Sequence, residues 1–172
     1  MVIDNHCCMK TICLIRHAKT HPAGWQEDDF DRKLTDRGKE DATKMSNLLK
    51  QKDIIPELLI SSPAKRTKTT AKIFAKTLGI EVSSILFENS LYAAEQEAYL
   101  KTIQRLDSSV DTIAIIGHNP GITDFANHIC REVRLDHMPT ASVFIFNTDV
   151  SIWNKVSSEN CRFKLFLNPS EK

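Results

Sequence analysis

The stretch CLIRHAKTH, Cys13–His21, joins an apolar run to a polar loop. Residues Ile12–Ile15 have the unbroken apolar character of a buried β-strand, and Arg16 and His17 follow directly where that strand ends. In open α/β sheets, parallel strands deliver their carboxyl ends to one edge, and ligands bind along that edge. The stretch therefore predicts a buried strand that carries two groups capable of positive charge to a ligand-binding edge.

Helical patterns follow this strand along the chain. Thr35 can cap a helix that runs to about Gln51, and Ser62 is a natural N-cap for a second helix, which Pro63 opens and Gly79 closes. Apolar residues at helical spacing predict two further helices, with the groups Tyr99, Leu100, Ile103 and Leu106, and Ile122, Phe125, Ala126 and Ile129.

Strand patterns alternate with these helices. Further strands are predicted in PELLISS, in SSILFE (Ser83–Glu88) and in the apolar run of DTIAIIG. The last third of the chain has three β-rich segments, SVFIFN, SIWNKV and RFKLFL, which we expect to pair antiparallel. The pattern predicts an α/β three-layer sandwich, in which a mostly parallel sheet has helices on both faces and antiparallel C-terminal strands.

The composition is typical of one domain without a strong overall charge. The chain has 172 residues, 41% of them hydrophobic, so a core of ordinary size can form. We expect residues 1–8 to be an irregular N-terminal extension and residues 9–172 to form a single domain. The 23 basic and 22 acidic side chains leave a formal charge of +1, which provides no bulk field for nucleic acid or an anionic membrane.

The sequence also indicates a cytoplasmic protein. No apolar run approaches the roughly 18 residues of a membrane span, and the N-terminus lacks the pattern of a signal peptide. The five cysteines are an odd number without a CxxC pair, so we expect reduced thiols. The sequence gives no indication of the oligomeric state.

Three predicted strand ends carry residues suited to one anion. Arg16 and His17 follow the first strand, Arg66 lies in the first turn of the helix after the second, and His118 follows the later apolar strand. Guanidinium groups match phosphate oxygens bidentately, and a neutral imidazole can act as a nucleophile. Helix N-termini beside these residues add backbone N–H donors. The four side chains together predict a site for a dianion such as a phosphoryl group.

The motifs LIRHAKT, SSPAKRTKTTA and GHNPG resemble those of the histidine phosphatase superfamily, the phosphoglycerate mutase-like group. Together with DFDRKLTDRG, they are most similar to the small phosphohistidine phosphatases of the SixA type. The resemblance covers about Lys10 to Ile129. It implies the phosphoglycerate mutase-like fold and phosphatase activity through a phosphohistidine intermediate, with no metal and no cofactor.

The resemblance also implies roles for individual residues. His17 would be the nucleophile, and Arg16, Arg66 and His118 would bind the transferring phosphoryl group. Glu88, in FENSLYAA, is the best-placed match for the general acid of larger members, with a surface carboxylate as the alternative. Lys19 and Asn119 are further candidates for substrate binding. Many members have Gly after the nucleophile, whereas Ala18 follows it here, as it often does in SixA-like chains.

The expected substrate is phosphohistidine or another exposed phosphoryl group on a protein, such as a histidine-phosphotransfer domain. An imidazole leaves a phosphoramidate far more readily than an alkoxide leaves an ester. The sequence identifies no unambiguous general acid, and this fits phosphohistidine better than a sugar phosphate. The 51 residues at positions 67–117 are occupied by two predicted helices and a strand, which leaves no insertion for a lid over a small metabolite. An open pocket of this kind would still admit small phosphoesters.

Other classes of protein fit the sequence less well. No cysteine has the C-x5-R spacing of a cysteine-dependent phosphatase, and the P-loop pattern GxxxxGK[ST] is absent. No HExxH motif or Asp-rich cluster supports a metal hydrolase. Two alternatives stay open: a small-molecule phosphomonoesterase of the same fold, and a non-catalytic phosphate-binding or phosphocarrier module.

Overall fold

The computed structural model describes residues 9–22 and 28–170, so the predicted extension at residues 1–8 lies outside it. The strands of the described part are β1 (Lys10–Arg16), β2 (Leu58–Ser61), β3 (Leu86–Phe87), β4 (Thr112–Gly117), β5 (Val143–Thr148) and β6 (Cys161–Leu167). Its α-helices are α1 (Asp36–Gln51), α2 (Lys65–Leu78), α3 (Gln96–Gln104) and α4 (Gly121–Ile129).

The strands form one mixed sheet in the order β3-β2-β4-β1-β5-β6. β3, β2, β4 and β1 are parallel, whereas β5 pairs antiparallel with both β1 and β6. Side chains alternate between the faces, so that Cys13 and Ile15 pack with α1 and α2, while Ile12 and Leu14 pack with α3 and α4. The predicted three-layer α/β architecture is confirmed.

The start of α2 differs from the prediction. The N-cap is Ala64, without a side-chain hydrogen bond, and neither Ser62 nor Pro63 opens the helix. The backbone N–H of Ser62 donates to Ile116 O at 3.0 Å and so still follows the sheet. The Ser62 hydroxyl is hydrogen-bonded to His118 instead of capping the helix. Thr35 and Gly79 cap α1 and α2 as predicted, Gly79 with a left-handed φ of 76°.

Two predicted strands are shortened or replaced. β3 contains only Leu86 and Phe87, because Val82–Ser84 forms a 3-10 turn before it. The segment SIWNKV is not a strand, since Trp153–Lys155 forms another 3-10 turn. This turn buries the Trp153 ring, whose Nε1–H donates to Val110 O at 3.1 Å. The segment therefore buries one large side chain in a turn and does not pair as a strand.

The sheet register aligns the predicted site residues. Arg16 pairs with Gly117, and Ser61 pairs with Ile116, so β1, β2 and β4 end at the same level. His17 and His118 are the next residues after the first of these pairs. The fold therefore brings the two histidines side by side at the carboxyl edge of the parallel strands.

Some absences apply to the described residues alone. No helix among them is long and apolar enough to cross a membrane, so the expected cytoplasmic location stays a prediction. They include no group of three or more His, Cys, Asp or Glu side chains arranged to hold a metal ion. Cys13, Cys130 and Cys161 are buried free thiols.

Candidate active site

His17 is held by the backbone that follows it. Its Nδ1 lies 2.9 Å from Ala18 O, and because a carbonyl only accepts, Nδ1 carries the proton and Nε2 is left unprotonated. The residue is 8% exposed. Burial lowers the pKa of His17 to about 4, the charges of Arg66 and Arg16 act in the same direction, and the bond to Ala18 opposes them. His17 is therefore a neutral imidazole at neutral pH.

His118 is a second buried neutral imidazole. Arg66 Nε donates to its Nδ1 at 3.2 Å, so its proton is on Nε2, which lies 2.8 Å from Ser62 Oγ. Burial, followed by the charge of Arg66, lowers the pKa of His118 to about 3. The His17 and His118 ring centroids lie 5.3 Å apart. The predicted pair of imidazoles is thus brought together, each in a defined tautomer.

Arg16 has one anchored and one unpaired donor. Its Nη1 donates to Met138 O at 2.6 Å, and the Asn119 side chain donates to the same carbonyl at 3.0 Å. Arg16 Nε is buried and has no hydrogen-bond partner among the described residues. Buried donors are rarely left unpaired in folded proteins, so this N–H is available for an oxygen of a bound anion.

Arg66 is covered by a carboxylate. Its Nη2 lies 2.9 Å from Asp29 Oδ2, and its Nη1 donates to the Asp29 carbonyl. Arg32 Nη1 lies 3.2 Å from Asp29 Oδ1, and the Tyr92 hydroxyl donates to Oδ2 at 3.2 Å. Burial raises the pKa of Asp29, but the hydrogen bond from Arg32 and the charge and hydrogen bond of Arg66 outweigh it, so that pKa lies below its ordinary value. Asp29 is therefore ionised at neutral pH.

These side chains surround one open cleft of about 470 Å³. Lys19 and Asn119 line it as well, but Glu88 does not. Glu88 is half-buried, and its backbone N–H donates to Ser61 O at 3.0 Å. The roles of Lys19, Asn119 and Glu88 in binding or catalysis stay predictions. The residues lining the cleft are Arg16, His17, Lys19, Thr20, Asp29, Arg32, Arg66, Tyr92, Ala93, His118, Asn119 and Thr140.

The sequence model of the histidine phosphatase superfamily (branch 1) matches residues 12–113. The chain belongs to this superfamily. Its relatives include an uncharacterized chloroplastic protein of Arabidopsis thaliana, At3g52155, which is 30% identical over 126 residues. That alignment covers 69% of this chain but only 58% of the Arabidopsis protein.

Solved structures of SixA proteins share the fold of this histidine phosphatase. The SixA protein of Nakamurella multipartita superposes with a TM-score of 0.81 at 21% identity, over 95% of this chain and 98% of that one. The Agrobacterium tumefaciens SixA protein gives a TM-score of 0.79 at 25% identity, over 93% of this chain and 98% of that one. The family and these SixA-like neighbours indicate a phosphatase, which is a hydrolase.

Three polar residues of this histidine phosphatase site were not predicted. Asp29 lies within the DFDRKLTDRG motif, but the motif alone does not reveal its contact with Arg66. Ser62 holds His118, and Thr70 Oγ1 accepts the buried Ala18 N–H at 3.0 Å. A Thr four residues after Arg66, on the same helical face, was the available signal for Thr70.

Proposed function

We propose that the protein is a metal-independent phosphatase that transfers a phosphoryl group to His17 and acts on phosphohistidine or another exposed phosphoryl group of a protein. The observation that carries the proposal is the charge state of the cleft. Of the described residues that line it, Asp29 has the single carboxyl group, and its contacts with Arg66 and Arg32 keep that group ionised. The cleft can thus bind and transfer a dianion, but its described lining offers no carboxylic acid to protonate a leaving oxygen.

The first step is attack of His17 Nε2 on phosphorus. A P–N bond forms, and the bond to the leaving group breaks and gives that group its electron pair. The unpaired Nε–H of Arg16 and the guanidinium of Arg66 bind the phosphoryl oxygens. The Nε2–H of His118 exchanges its contact with Ser62 Oγ for one of these oxygens. These donors stabilise the charge that spreads over the oxygens in the transition state.

The second step regenerates the enzyme. Water attacks the phosphorus of phospho-His17, the P–N bond breaks and returns its electron pair to Nε2, and inorganic phosphate leaves as dihydrogen phosphate with the oxygen and both protons of that water. The bond between His17 Nδ1–H and Ala18 O keeps the ring in one orientation through both steps. This orientation directs Nε2 at phosphorus each time, which is the positioning that phosphoryl transfer chiefly requires.

The leaving group determines the substrate class. An alkoxide must be protonated as it leaves, whereas an imidazole leaves readily because its conjugate acid has an ordinary pKa of about 6.5. Neither Asp29, which is ionised, nor Tyr92, which already donates to Asp29, is placed as a strong proton donor. Glu88 lies outside the cleft lining and takes no part in the proposed mechanism. A phosphoramidate on a protein therefore fits the cleft better than a sugar phosphate.

The test compares leaving groups in the presence of EDTA. The substrates are a phosphohistidine peptide, p-nitrophenyl phosphate and glycerol phosphate. We expect the first two to be hydrolysed and glycerol phosphate to react at least about 100-fold more slowly, because general acid catalysis commonly contributes that factor. Intact-mass analysis at alkaline pH should detect a phosphoenzyme that His17→Asn lacks and that the exposed control His128→Asn retains.

The same experiment separates the alternatives. Equal rates on all three substrates would overturn the substrate class and favour a small-molecule phosphomonoesterase. A rate that falls in Glu88→Gln would restore the general-acid role of that residue. Phosphate binding without turnover of any substrate would indicate a phosphate-binding or phosphocarrier module.

A further inference from the structure

The outer face of α2 has a row of four lysines. Lys65, Lys68, Lys72 and Lys76, here called the α2 lysine row, are spaced by three, four and four residues. At 3.6 residues per turn, they lie within an arc of about 80° around the helix. Lys65, Lys72 and Lys76 are exposed, and Lys68 is half-buried. The row is therefore a continuous positive stripe on the surface.

Three of the four charges do not stabilise the helix; Lys76, in the last turn, is the exception, because a cation there favours the helix dipole. α2 contains no acidic residue, and none of the four lysines lies within 4.0 Å of a carboxylate in the described part of the chain. Like charges four residues apart on a helix repel each other, and a lysine in the first turn opposes the helix dipole. Ala64, at the N-cap, adds no side-chain hydrogen bond. The row is an uncompensated local charge in a chain whose net charge is only +1.

An apolar pair borders the row. Leu86 and Phe87 of β3 are 45% and 42% exposed, although both are large hydrophobic residues. β3 is the end strand of the sheet and pairs only with β2. Lys68 Nζ lies 5.3 Å from the centroid of the Phe87 ring, so the lysine row and the apolar pair form one surface. Apolar side chains flanked by charged ones are the arrangement of many protein interfaces.

This surface begins at the active-site cleft. Arg66, next to Lys65 in the first turn of α2, points its guanidinium into the cleft, where it contacts Asp29 and His118. With a rise of 1.5 Å per residue, the row extends about 16 Å along the helix from that point. A protein that presents its phosphoryl group to Arg66 can therefore cover the row at the same time.

We propose that the α2 lysine row, with Leu86 and Phe87, binds an acidic helical surface of the phosphorylated protein substrate. This inference rests on the proposed function and names the chemistry of its partner. Carboxylates on one helical face complement lysines repeated every three to four residues, and an apolar residue beside them contacts Leu86 and Phe87. Nucleic acid and anionic membranes are less suited, since the chain has no extended positive field and the surface includes two apolar side chains.

The test uses a charge reversal with a matched control. The test variant is Lys68→Glu/Lys72→Glu/Lys76→Glu, which leaves Lys65 and the neighbouring Arg66 intact. The control variant makes the same change in net charge at exposed lysines of other elements, with the substitutions Lys101→Glu, Lys155→Glu and Lys164→Glu. The probes are a Glu-rich helical phosphohistidine peptide and its counterpart with every Glu replaced by Gln.

The unchanged protein should prefer the acidic peptide by about tenfold or more in kcat/KM at low salt, because complementary charges accelerate encounter. The preference should shrink as the salt concentration rises. It should disappear in the test variant and persist in the control variant, while hydrolysis of p-nitrophenyl phosphate stays the same in all three proteins. Phe87→Ala should weaken binding of both peptides. Loss of the preference in both triple variants would overturn the proposal, because net charge alone would then explain it.

A binding measurement separates this proposal from the proposed function. Fluorescence anisotropy reports the affinity for the unphosphorylated acidic peptide without any turnover. Charge-dependent binding that only the test variant loses would support the docking surface even if no substrate were hydrolysed. Turnover without any charge preference would overturn the docking surface and leave the phosphatase intact. Tighter binding of the row to a 15-nucleotide single-stranded DNA or to phosphatidylserine vesicles than to the peptide would also overturn it.

Discussion

The Asp29 carboxylate lies on the Arg66 guanidinium, with Oδ2 at 2.9 Å from Nη2. In the proposed mechanism a phosphoryl oxygen requires the same N–H groups, so Asp29 would compete with the substrate for Arg66. Asp29 is also held by Arg32 and Tyr92, which makes the competing contact a stable one. The contact with Asp29 therefore already pairs one of the two arginines that we propose to bind the phosphoryl group.

Replacement of Asp29 by Asn should strengthen phosphate binding. The neutral amide releases Arg66 and removes a negative charge next to the anion, so we expect the inhibition constant of inorganic phosphate to fall about 5- to 10-fold. The control is Asp31→Asn, an equal charge change at an exposed carboxylate of the 3-10 turn Asp29–Asp31. Weaker phosphate binding in Asp29→Asn alone would mean that Asp29 orients Arg66 more than it competes for it.

The two histidines should make the protein sensitive to acid. The pKa of His17 is lowered to about 4 from 6.5, chiefly by burial. As the pH falls below about 6.5, the unfolded chain takes up a proton on this ring while the folded chain does not, so the free energy of unfolding decreases until about pH 4. In this window the loss is at most about 1.4 kcal/mol per pH unit for each such histidine.

Two measurements check this pH dependence. The ring signals of His17 in NMR spectra should titrate with a midpoint near 4, and bound phosphate should move that midpoint upward. Urea denaturation at pH 7 and pH 5 should show a smaller pH dependence in His17→Gln than in the unchanged protein. A midpoint near the ordinary value, or an equal pH dependence in both proteins, would contradict the buried neutral state.

Thr70 should position His17, the proposed nucleophile. Its Oγ1 accepts the buried Ala18 N–H at 3.0 Å and donates to Arg66 O at 2.8 Å, so it joins the loop after His17 to α2. Thr70→Val keeps the shape but leaves the Ala18 N–H unpaired, which should reduce the free energy of unfolding by about 1–3 kcal/mol. Displacement of His17 should lower kcat about 10- to 100-fold, with a smaller effect on KM.

The control for Thr70 lies one residue earlier. Thr69 Oγ1 donates to Lys65 O at 2.7 Å within the same helix and does not contact the His17 loop. Thr69→Val should therefore leave kcat nearly unchanged. If both variants lost kcat equally, a general effect on α2 would be responsible, and the positioning role of Thr70 would fail.

The sequence predicted the site residues that the ends of β-strands position. Arg16 is the last residue of β1, His17 and His118 directly follow β1 and β4, and the sheet register brings these strand ends together. Asp29 was missed because its contact with Arg66 depends on the path of a loop and on a 3-10 turn, which local pattern does not determine. Tertiary contacts, which the local sequence pattern does not show, thus place Asp29 and not Glu88 in the lining of the cleft.

Two local signals were overridden by partners distant in sequence. Ser62 has the composition of an N-cap, but its hydroxyl is used by His118, 56 residues later. The segment around Trp153 alternates like a strand, yet its indole packs over Lys10 Nζ, at 4.8 Å from the ring centroid. Lys10 is itself fully buried and forms an ion pair with Asp111 at 2.7 Å. The Trp153 ring therefore covers a buried ion pair that the sequence pattern does not indicate.

The hydrogen bond from Arg16 to Met138 O spans 122 positions of the chain. Arg16 is the last residue of β1, a central strand that pairs with β4 and β5, both far downstream in the chain. During synthesis on the ribosome, β1 therefore stays unpaired, with its apolar side chains exposed, until most of the chain has emerged. Chaperones bind exposed apolar segments of this kind. Catalytic competence is then acquired at the end of folding, so specific activity would report the fraction of nascent chains that have matured completely.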